Sequence, residues 1–460
     1  MMRVWILVGS FWIIVLAGCG PATSKAHTAA ATEALHKGDF EGAIREANQA
    51  LSIEPNALDA KQLKVRALIA KGEEASALDS YEALARQHGP DAPLLVELCR
   101  GILREGMKHV DDYFIRSASV KAIGEMGDKS ALPILALALK DPASFVRFFA
   151  TESLGEFGDA PSLRLLETTA EDQDPMVRSS AVKALSEIPA PEATAILGKF
   201  SKDSDVAVRL FALASLARRG SRDAGNELLR TARELPEPLR RFAAAAMGQA
   251  QDPVFVPTLV SLLSEKDQVT RSQSAEALGK IGDKSAFGPL AKALGDPDPG
   301  VRRSATVGLG KLHDPKAVPL LQKTLSDPDA MTRIAAAESL IQLGAPPANE
   351  IYAKALSDAD YGTRHFAVGS LGRVGREEAI TLLQTPFTDN TPRVRIAAVR
   401  ALRDIGRRVG GEKVIPLLYR ALRDPDASVR IYAAGGLGWF LLSKNPSTAS
   451  LERPLPSRRS

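Results

Sequence analysis

The sequence predicts an all-α protein, an α-solenoid (superhelix) of about eleven helical pairs preceded by a shorter helical segment. Three observations predict this fold. An arginine recurs every 31 residues through most of the chain, apolar residues flank each arginine at helical spacing, and Pro and Gly recur between the apolar runs. A chain of 460 residues is also too long for one ordinary core, which requires either several domains or a repeat array.

The repeat arginines set the period of the array. Ten of them are each 31 residues apart: Arg116, Arg147, Arg178, Arg209, Arg240, Arg271, Arg302, Arg333, Arg364 and Arg395. An eleventh, Arg430, follows after 35 residues. Nine consecutive intervals of one length indicate that a single structural unit repeats.

The residues around each arginine predict a helix and its two ends. Counted from the arginine, Val at −1, Ala at +3 and Leu at +7 form one apolar stripe on an α-helix, as at Val301, Ala305 and Leu309. An upstream Asp-Pro pair suits a helix start, because Asp caps the first turn and Pro fits it. A downstream Gly ends the helix, and a second, shorter apolar helix comes after it.

The block D-P-x-x-x-V-R-x-x-A-x-x-x-L-G resembles the HEAT-like repeats of the phycobilin lyase type, over residues 99–442. The resemblance implies that the arginine-bearing helices line an inner, concave wall. It also implies a structural ladder, in which each arginine pairs with a turn aspartate and bridges adjacent repeats. The ladder arginines are Arg147, Arg178, Arg209, Arg302, Arg333, Arg395 and Arg430. The alternative is that the arginine row forms a track for anions. We expect the stacked repeats to form a curved rod about 100 Å long.

Residues 30–98 show a different period, of 34 residues, in which Gly38 is matched by Gly72 and Ala43 by Ala77. Small residues where two helices touch, Gly at the turn and Pro55 after the second helix resemble tetratricopeptide repeats. Two copies are fewer than a free-standing array usually needs, so we expect this segment to dock onto the 31-residue repeats.

The N-terminus predicts export and lipid attachment. Residues 1–18 have one early positive charge followed by an apolar run too short to span a bilayer, which is typical of a secretory signal. The segment Leu16-Ala17-Gly18-Cys19 resembles a bacterial lipobox, which implies that Cys19 carries the lipid. Residues 19–29 then form a tether. The protein is expected in the cell envelope, facing the periplasm, and Gly20 favours the outer membrane over the inner. The alternative is a plain signal or uncleaved anchor with an incidental cysteine.

Positions +1, +5 and +9 on the arginine helices point away from the apolar stripe and are candidate protein-binding positions. From the +1 and +9 rows we select Phe148, Glu156, Glu187, Leu210, Arg218, Arg241, Lys280, Arg303, Lys311, Ile334 and Arg373. Apolar residues flanked by charges of both signs are typical of a protein or peptide groove, and the alternative is an ordinary solvated face. The aromatic residues at +2, such as Phe366, are interpreted as packing between repeats.

Catalytic motifs are missing from the sequence. No histidines pair at metal-ligand spacing, and there is no C-x-x-C, P-loop or G-x-S-x-G motif. A net charge of +4 gives no argument for nucleic acid. We therefore predict no catalysis, cofactor, metal or small-molecule substrate. The predicted function is a lipid-anchored scaffold or adaptor that binds other proteins.

Two other functions stay open. The first is a phycobilin lyase-like chromophore-attachment enzyme or its chaperone subunit, for which Cys99 would be the remaining thiol. The second is a structural envelope protein that tethers a complex at the membrane. Residues 443–460 are rich in Pro, Ser and Arg and are predicted to form a disordered basic tail.

Overall fold

The computed structural model describes residues 23–346 and 348–444, and within these ranges the regular structure is entirely helical. The predicted signal of residues 1–18 and Cys19 lie outside the described residues, as does the predicted tail from residue 445 onward. None of the helices in the described ranges combines the length and hydropathy needed to cross a membrane.

The chain divides into two compact units between Leu98 and Cys99. The first unit contains four helices and the start of a fifth. These are α1 (Ser24–His36), α2 (Phe40–Ile53), α3 (Leu58–Lys71), α4 (Glu74–His88) and α5 (Ala92–Met107), the last of which ends in the second unit.

In the first unit, α1, α2 and α3 each pack against the next helix in sequence. Small side chains, among them Ala31, Ala43, Ala47 and Ala67, fill a core with little or no exposed surface. The tether predicted for residues 19–29 is too long, because α1 begins at Ser24. Thr23 caps this helix by accepting a hydrogen bond from Ala26 N at 3.2 Å. The tetratricopeptide resemblance of this unit stays a prediction.

The second unit continues with twenty-one helices that alternate between long and short. The first ten are α6 (Tyr113–Met126), α7 (Leu132–Ala138), α8 (Ser144–Phe157), α9 (Ala160–Thr168), α10 (Pro175–Glu187), α11 (Pro191–Phe200), α12 (Val206–Arg218), α13 (Arg222–Glu234), α14 (Arg240–Ala250) and α15 (Val256–Leu262). The others are α16 (Gln268–Ile281), α17 (Phe287–Ala293), α18 (Pro299–Lys311), α19 (Ala317–Thr324), α20 (Ala330–Gln342), α21 (Asn349–Leu356), α22 (Tyr361–Val374), α23 (Ala379–Leu382), α24 (Pro392–Val409), α25 (Ile415–Ala421) and α26 (Ala427–Lys444).

The sequence signals at the helix starts act as predicted. In α10, Asp174 accepts a hydrogen bond from Met176 N at 2.9 Å, and Pro175 occupies the first helical position, where its missing N–H costs nothing. The apolar stripe of the arginine helices is buried, as shown by Val301, Ala305 and Leu309. The predicted all-α solenoid of HEAT-like pairs is confirmed.

The eleven even-numbered helices from α6 to α26 form the inner layer of the second unit, and the odd-numbered helices from α7 to α25 form the outer layer. Consecutive even-numbered helices pack along their lengths, whereas consecutive odd-numbered helices barely touch. On a curved stack the elements on the convex side spread apart, so the odd-numbered helices are on the outside. Each repeat contacts mainly its neighbours, as in other solenoids.

The inner layer closes on itself, because α26 packs against α6 as closely as other consecutive inner helices pack. The prediction of an open rod is therefore wrong for this unit. Eleven helices about 9 Å apart have a perimeter of about 100 Å, and a regular ring of that perimeter is about 30 Å across between helix axes. We call the α6–α26 contact the seam.

Glycines allow the inner helices to approach closely. A Cβ on Gly279 of α16 would lie 2.4 Å from the Cα of Gly308 on α18. At the seam, a Cβ on Gly435 of α26 would lie 2.7 Å from the carbonyl oxygen of Ala122 on α6. Real Cβ atoms do not approach backbone this closely, so only glycine permits these contacts. The seam is thus packed like an internal repeat interface.

Candidate functional site: the inner wall of the ring

Each inner helix turns one face away from its two ring neighbours and its outer partner, and we call the surface made by these faces the inner wall. Its positions lie at −2, +2, +5 and +9 from the repeat arginine, with +1 at the edge, because these positions share one side of an α-helix. Exposed Phe145, Lys183, Lys280 and Arg373 lie in these rows. The inner wall is the concave surface that the closed layer of inner helices creates in this unit.

The repeat arginines lie at the turns between repeats. Arg302 donates from Nε and Nη2 to the two carboxylate oxygens of Asp327 in the next repeat, both at 2.9 Å, and from Nη1 to the carbonyl oxygen of Asp296 at 3.1 Å. The same bidentate pair, to a residue 25 or 29 positions downstream, is formed by Arg116, Arg147, Arg178, Arg271, Arg364 and Arg395.

These ion pairs are shielded from solvent, as the pair of Arg302 and Asp327 illustrates. Burial opposes the charge of Asp327, but hydrogen bonds from Arg302 and Asp329 N together hold its pKa below the usual range. Bidentate arginine–carboxylate pairs of this kind fix geometry as well as charge. With both partners engaged, the arginines of these pairs offer no open track for anions.

Two members of the predicted ladder depart from this pattern. Arg209 and Arg333 form no ion pair with any described residue and donate only to main-chain carbonyls, as Arg333 does to Asp327 O at 2.7 Å. Arg430 in the last repeat donates to Asp424 O at 3.0 Å. The residue 25 positions downstream of Arg209 is Glu234 on α13. The carboxylate of Glu234 lies 3.8 Å from Arg230 of the same helix.

An aromatic cluster occupies the inner wall where α6 and α8 begin. It consists of Tyr113, Phe114, Phe145, Phe148 and Phe149, with ring centroids 4.2 to 6.5 Å apart in successive contacts. Phe114 is 56% exposed, Tyr113 40% and Phe145 38%. Such a contiguous set of exposed rings is unusual on a surface that stays in water. Of these five residues only Phe148 was predicted to bind a partner, because the other four lie outside the +1 and +9 rows.

The acidic candidates lie at the other ends of the inner helices, near the C-termini of α8 and α10. Glu156 and Glu187 are both exposed. Arg218 of α12 donates to Glu187 at 3.1 Å, and this hydrogen bond lowers the pKa of the Glu187 carboxyl. Glu152 at +5 binds both Lys121 and Lys183, at 3.0 and 2.7 Å.

The basic candidates lie on the other side of the ring, on α14 to α22. Lys280, Lys311 and Arg373 are exposed at +9, and Arg303 is partly exposed at +1. The guanidinium of Arg241 lies 5.0 Å from the ring centroid of Phe242 on the same helix. The inner wall therefore has an acidic sector and a basic sector, as the +9 row of the sequence indicates, because Glu156 and Glu187 come first in that row and Lys280, Lys311 and Arg373 come later.

Two of the predicted binding residues are corrected by the structure. Leu210 and Ile334 are 0% exposed and belong to the packing between inner helices. The +1 position lies at the edge of the inner wall. Where the neighbouring inner helix packs closely against this edge, it covers the +1 side chain. These two leucine-sized side chains therefore stabilise the ring and cannot contact a partner.

The seam carries a buried ion-pair network that the sequence did not reveal. Glu125 of α6 pairs with Arg403 and, at 3.3 Å, with Arg400, both on α24. Arg403 also donates to Asp404 Oδ1 at 2.8 Å. Glu125 and Arg403 are almost completely buried, and the neighbouring Tyr432 has its pKa raised to about 12, chiefly by burial. These carboxylate and guanidinium groups connect helices more than 270 residues apart in sequence.

Cys99 lies in the core, and its chemistry follows from that position. Its side chain is 0% exposed, and burial raises the pKa of the thiol to about 12. A thiol must ionise and be accessible to act as a nucleophile. Within residues 23–346 and 348–444, no group of three or more His, Cys, Asp or Glu side chains is arranged to hold a metal ion.

The fold and the inner wall define a helical-repeat scaffold, an α-solenoid whose inner layer forms a ring. A sequence profile of HEAT repeats matches residues 102–186, 164–245, 232–306, 287–351, 349–438 and 387–452, and the chain belongs to the HEAT-repeat family. No curated protein matches the sequence.

Three solved structures resemble parts of the chain. The complex of CpcE and CpcF of phycocyanin lyase from Nostoc is 23% identical over 53% of this chain and 94% of that one, with a TM-score of 0.37. Human deoxyhypusine hydroxylase is 21% identical over 60% and 95%, with a TM-score of 0.29. An engineered protein is 18% identical over 76% and 98%, with a TM-score of 0.25. With TM-scores of this size the three likenesses carry no argument about this chain, and the repeat type rests on the HEAT-repeat profile.

Proposed function

We propose that the protein is a lipid-anchored scaffold of the cell envelope that binds a partner protein on the inner wall of its HEAT-repeat ring, without catalysing a reaction. The observation that carries the proposal is the aromatic cluster. Tyr113, Phe114 and Phe145 together expose three adjacent rings on a concave surface. Aromatic side chains are typical centres of protein interfaces, because each buries a large area when water is excluded.

The charges of the inner wall support a protein as the partner. The wall carries carboxylates, such as Glu156 and Glu187, and cations, such as Lys280 and Lys311, in addition to the aromatic cluster, and apolar residues accompanied by charges of both signs are typical of a protein interface. Lipid anchoring rests on the sequence around Cys19, and the outer membrane is favoured by Gly20. Two acyl groups or more would hold the protein at a membrane stably.

The chromophore-attachment alternative predicts a reactive group that recognises or transfers a bilin. Cys99 is an unsuitable group, because it is buried and its pKa is raised to about 12. The alternative nevertheless makes a distinct prediction, which is capture of a coloured, chromophore-bearing protein. A capture experiment therefore separates the two functions.

The test is affinity capture from detergent-solubilised membranes, with the full chain as bait. The variant Phe114→Ser with Phe145→Ser removes two exposed rings and is expected to reduce recovery of the partner at least tenfold. The matched control is Leu137→Ser, which removes a side chain that is 71% exposed on the outer helix α7. A second variant, Cys19→Ser, is expected to move the protein from the membrane fraction to the soluble fraction.

Equal loss of the partner in the Leu137 control and in the double variant would contradict the inner wall as the binding surface. Retention of the Cys19→Ser protein in membranes would contradict lipid anchoring through that residue. Capture of a chromophore-bearing protein would favour the lyase-like function over the scaffold.

A further inference from the structure

Four cations and one aromatic ring lie together on the inner wall across α16, α18, α20 and α22. We define the basic site as Lys280, Arg303, Lys311, Phe366 and Arg373. We propose that the basic site binds an acidic segment of the partner, with side-chain carboxylates contacting Lys311 and Arg303 and an apolar side chain packing on Phe366. This inference rests on the proposed function, because it names the chemistry of the partner that the ring binds.

The basic site has more positive charge than its own carboxylates can neutralise. Glu276 and Glu338 lie on the same faces of these helices, and Asp329 at the start of α20 lies 3.9 Å from Arg303, so four cations less three carboxylates leave an excess of one. The two glutamates are already engaged. Glu276 accepts from Lys280 at 2.8 Å, and Glu338 accepts two hydrogen bonds from Arg373, both at 2.8 Å.

Lys311 is the cation with the least compensation. No hydrogen bond or ion pair joins its amine to any residue in the described part of the chain. It reaches solvent at the C-terminal end of α18, between Lys280 on one side and Arg373 on the other. Partial burial of the amine and the charge of Lys280 lower its pKa, whereas an approaching carboxylate would restore it.

Arg303 is held in place but weakly paired. Its guanidinium lies 3.9 Å from Asp329, a residue that already caps α20 through hydrogen bonds from Thr332. Its Nη1 lies 3.5 Å from the sulfur of Met331. A guanidinium with donors not used in strong pairs is suited to bidentate binding of a carboxylate.

Phe366 orients the two arginines of the site. The guanidinium carbons of Arg303 and Arg373 both lie 5.6 Å from the ring centroid of Phe366. Arg303 comes from α18 and Phe366 from α22, and they meet across α20, where Ala335 is small enough to leave space. Cation–π contacts restrict both guanidiniums before any ligand arrives, so less side-chain entropy is lost on binding.

The spacing of the site suits a peptide. Arg303 and Lys311 are eight residues apart on one helix, or about 12 Å along its axis. An extended peptide covers about 3.3 Å per residue, so acidic residues about four positions apart would reach both cations. A long polyanion such as a nucleic acid is disfavoured, because the wall also carries Glu276 and Glu338 and the acidic sector of Glu156 and Glu187.

The experiment measures binding of labelled probes to the full chain in detergent by fluorescence anisotropy. The probes are a twelve-residue peptide with glutamate at every fourth position and one phenylalanine, its lysine counterpart, and a single-stranded oligonucleotide of twelve thymidines. We expect the acidic peptide to bind at least tenfold more tightly than the lysine peptide. We also expect Lys311→Glu with Arg303→Glu to weaken acidic-peptide binding at least tenfold.

The matched control is Lys292→Glu with Lys323→Glu, which reverses two exposed charges on the outer helices α17 and α19. This control is expected to change the affinity less than threefold. Thermal unfolding followed by circular dichroism checks that both double variants keep the wild-type melting temperature. If Lys311→Glu with Arg303→Glu lowers it, the single variant Lys311→Gln, which leaves every described contact intact, replaces it.

Equal affinity for the acidic and lysine peptides, or equal loss in the control, would overturn the inference. Tighter binding of the oligonucleotide with the same sensitivity to Lys311 and Arg303 would also overturn it, in favour of a nucleic-acid ligand. Failure of these peptide assays alone leaves the proposed function standing if membrane capture still depends on Phe114 and Phe145. Loss of that dependence as well would contradict both.

Discussion

The seam of the ring offers the sharpest test of the structure. Glu125→Ala would leave Arg403 almost completely buried without its main counter-charge. Removing one partner of a buried ion pair typically costs 3–5 kcal/mol, and we expect about 3 kcal/mol because Arg403 keeps its contact with Asp404 at 2.8 Å. Glu125 and Arg403 lie on α6 and α24, on either side of α26, so the cost falls on the packing of α6 against these two helices, and the seam is expected to open locally before the rest of the unit unfolds.

Amide hydrogen exchange followed by mass spectrometry measures this opening. A loss of about 3 kcal/mol accelerates exchange through local opening about 100-fold, since each 1.4 kcal/mol is a factor of ten. We expect the acceleration in α6 and α26, with α16 on the far side of the ring as the internal control. A second variant, Glu125→Ala with Arg403→Met, removes the orphaned charge and is expected to exchange more slowly than the single variant.

Two results would refute the reasoning about closure. Exchange in α6 and α26 that stays within threefold of the wild type would mean that the seam carries no such energy. An equal acceleration in α16 would mean that Glu125 stabilises the unit as a whole and not the seam in particular.

Three further predictions concern the packing, the ladder and the thiol. Gly279→Ala is expected to lower the free energy of unfolding by about 1–3 kcal/mol through a backbone clash, whereas Gly288→Ala, in open space on α17, raises it by about 0.5–1 kcal/mol. Hydrogen bonds to the Asp327 carboxylate outweigh the effect of burial and lower its pKa. The ionised carboxylate therefore stabilises the folded protein above about pH 4, and this contribution is lost as pH falls further. Cys99 is expected to resist maleimide in the folded protein and react after denaturation.

Each of these predictions has a direct measurement. Urea unfolding of the two glycine variants gives the changes in stability, and equal effects would contradict the close approach at Gly279. Thermal unfolding between pH 3 and pH 6 tests the ladder, with Asp327→Asn as the variant that should lose part of the dependence on pH. The unfolded chain binds more protons than the folded one in this range, which sets the direction of the effect. Mass spectrometry after maleimide treatment tests Cys99, and rapid modification of the folded chain would contradict its burial.

The local fold was predictable because its signals recur within each repeat. The 31-residue spacing, the caps such as Asp174 and the stripe at Val301, Ala305 and Leu309 are each determined by neighbours in sequence. Closure was not predictable in the same way. Curvature is a sum of small rotations between repeats, and these depend on how side chains of different helices interlock.

Some residues indicate that the inner layer closes into a ring, but this is not visible when each row of the repeat is considered separately. Arg403 replaces the glycine or small residue found at +8 in most repeats, and a long side chain at that position can reach past the neighbouring helix. The end of α26, around Trp439 and Phe440, is apolar, whereas the last repeat of an open array normally needs a polar outer face. An apolar last repeat therefore indicates that another surface covers it.

The basic site was predicted only in part. Lys280, Lys311 and Arg373 were selected from the +9 row, and Arg303 from the +1 row, but Phe366 was interpreted as packing. Phe366 of α22 contacts Arg303 of α18 across the inner helix between them. A sequence pattern within one repeat does not encode such a contact. The exposed aromatic cluster was missed for the same reason, since its members come from different rows of two helices.

The contact between α26 and α6 has a consequence for how this gene can change. An open solenoid tolerates duplication or loss of a repeat, because the new unit stacks on its neighbours and the array simply becomes longer or shorter. Here an inserted or deleted 31-residue unit would displace Gly435 from Ala122 and Glu125 from Arg403. The number of repeats is therefore under selection as a whole, and variation among relatives should accumulate as substitutions and turn insertions, like the four extra residues before Arg430.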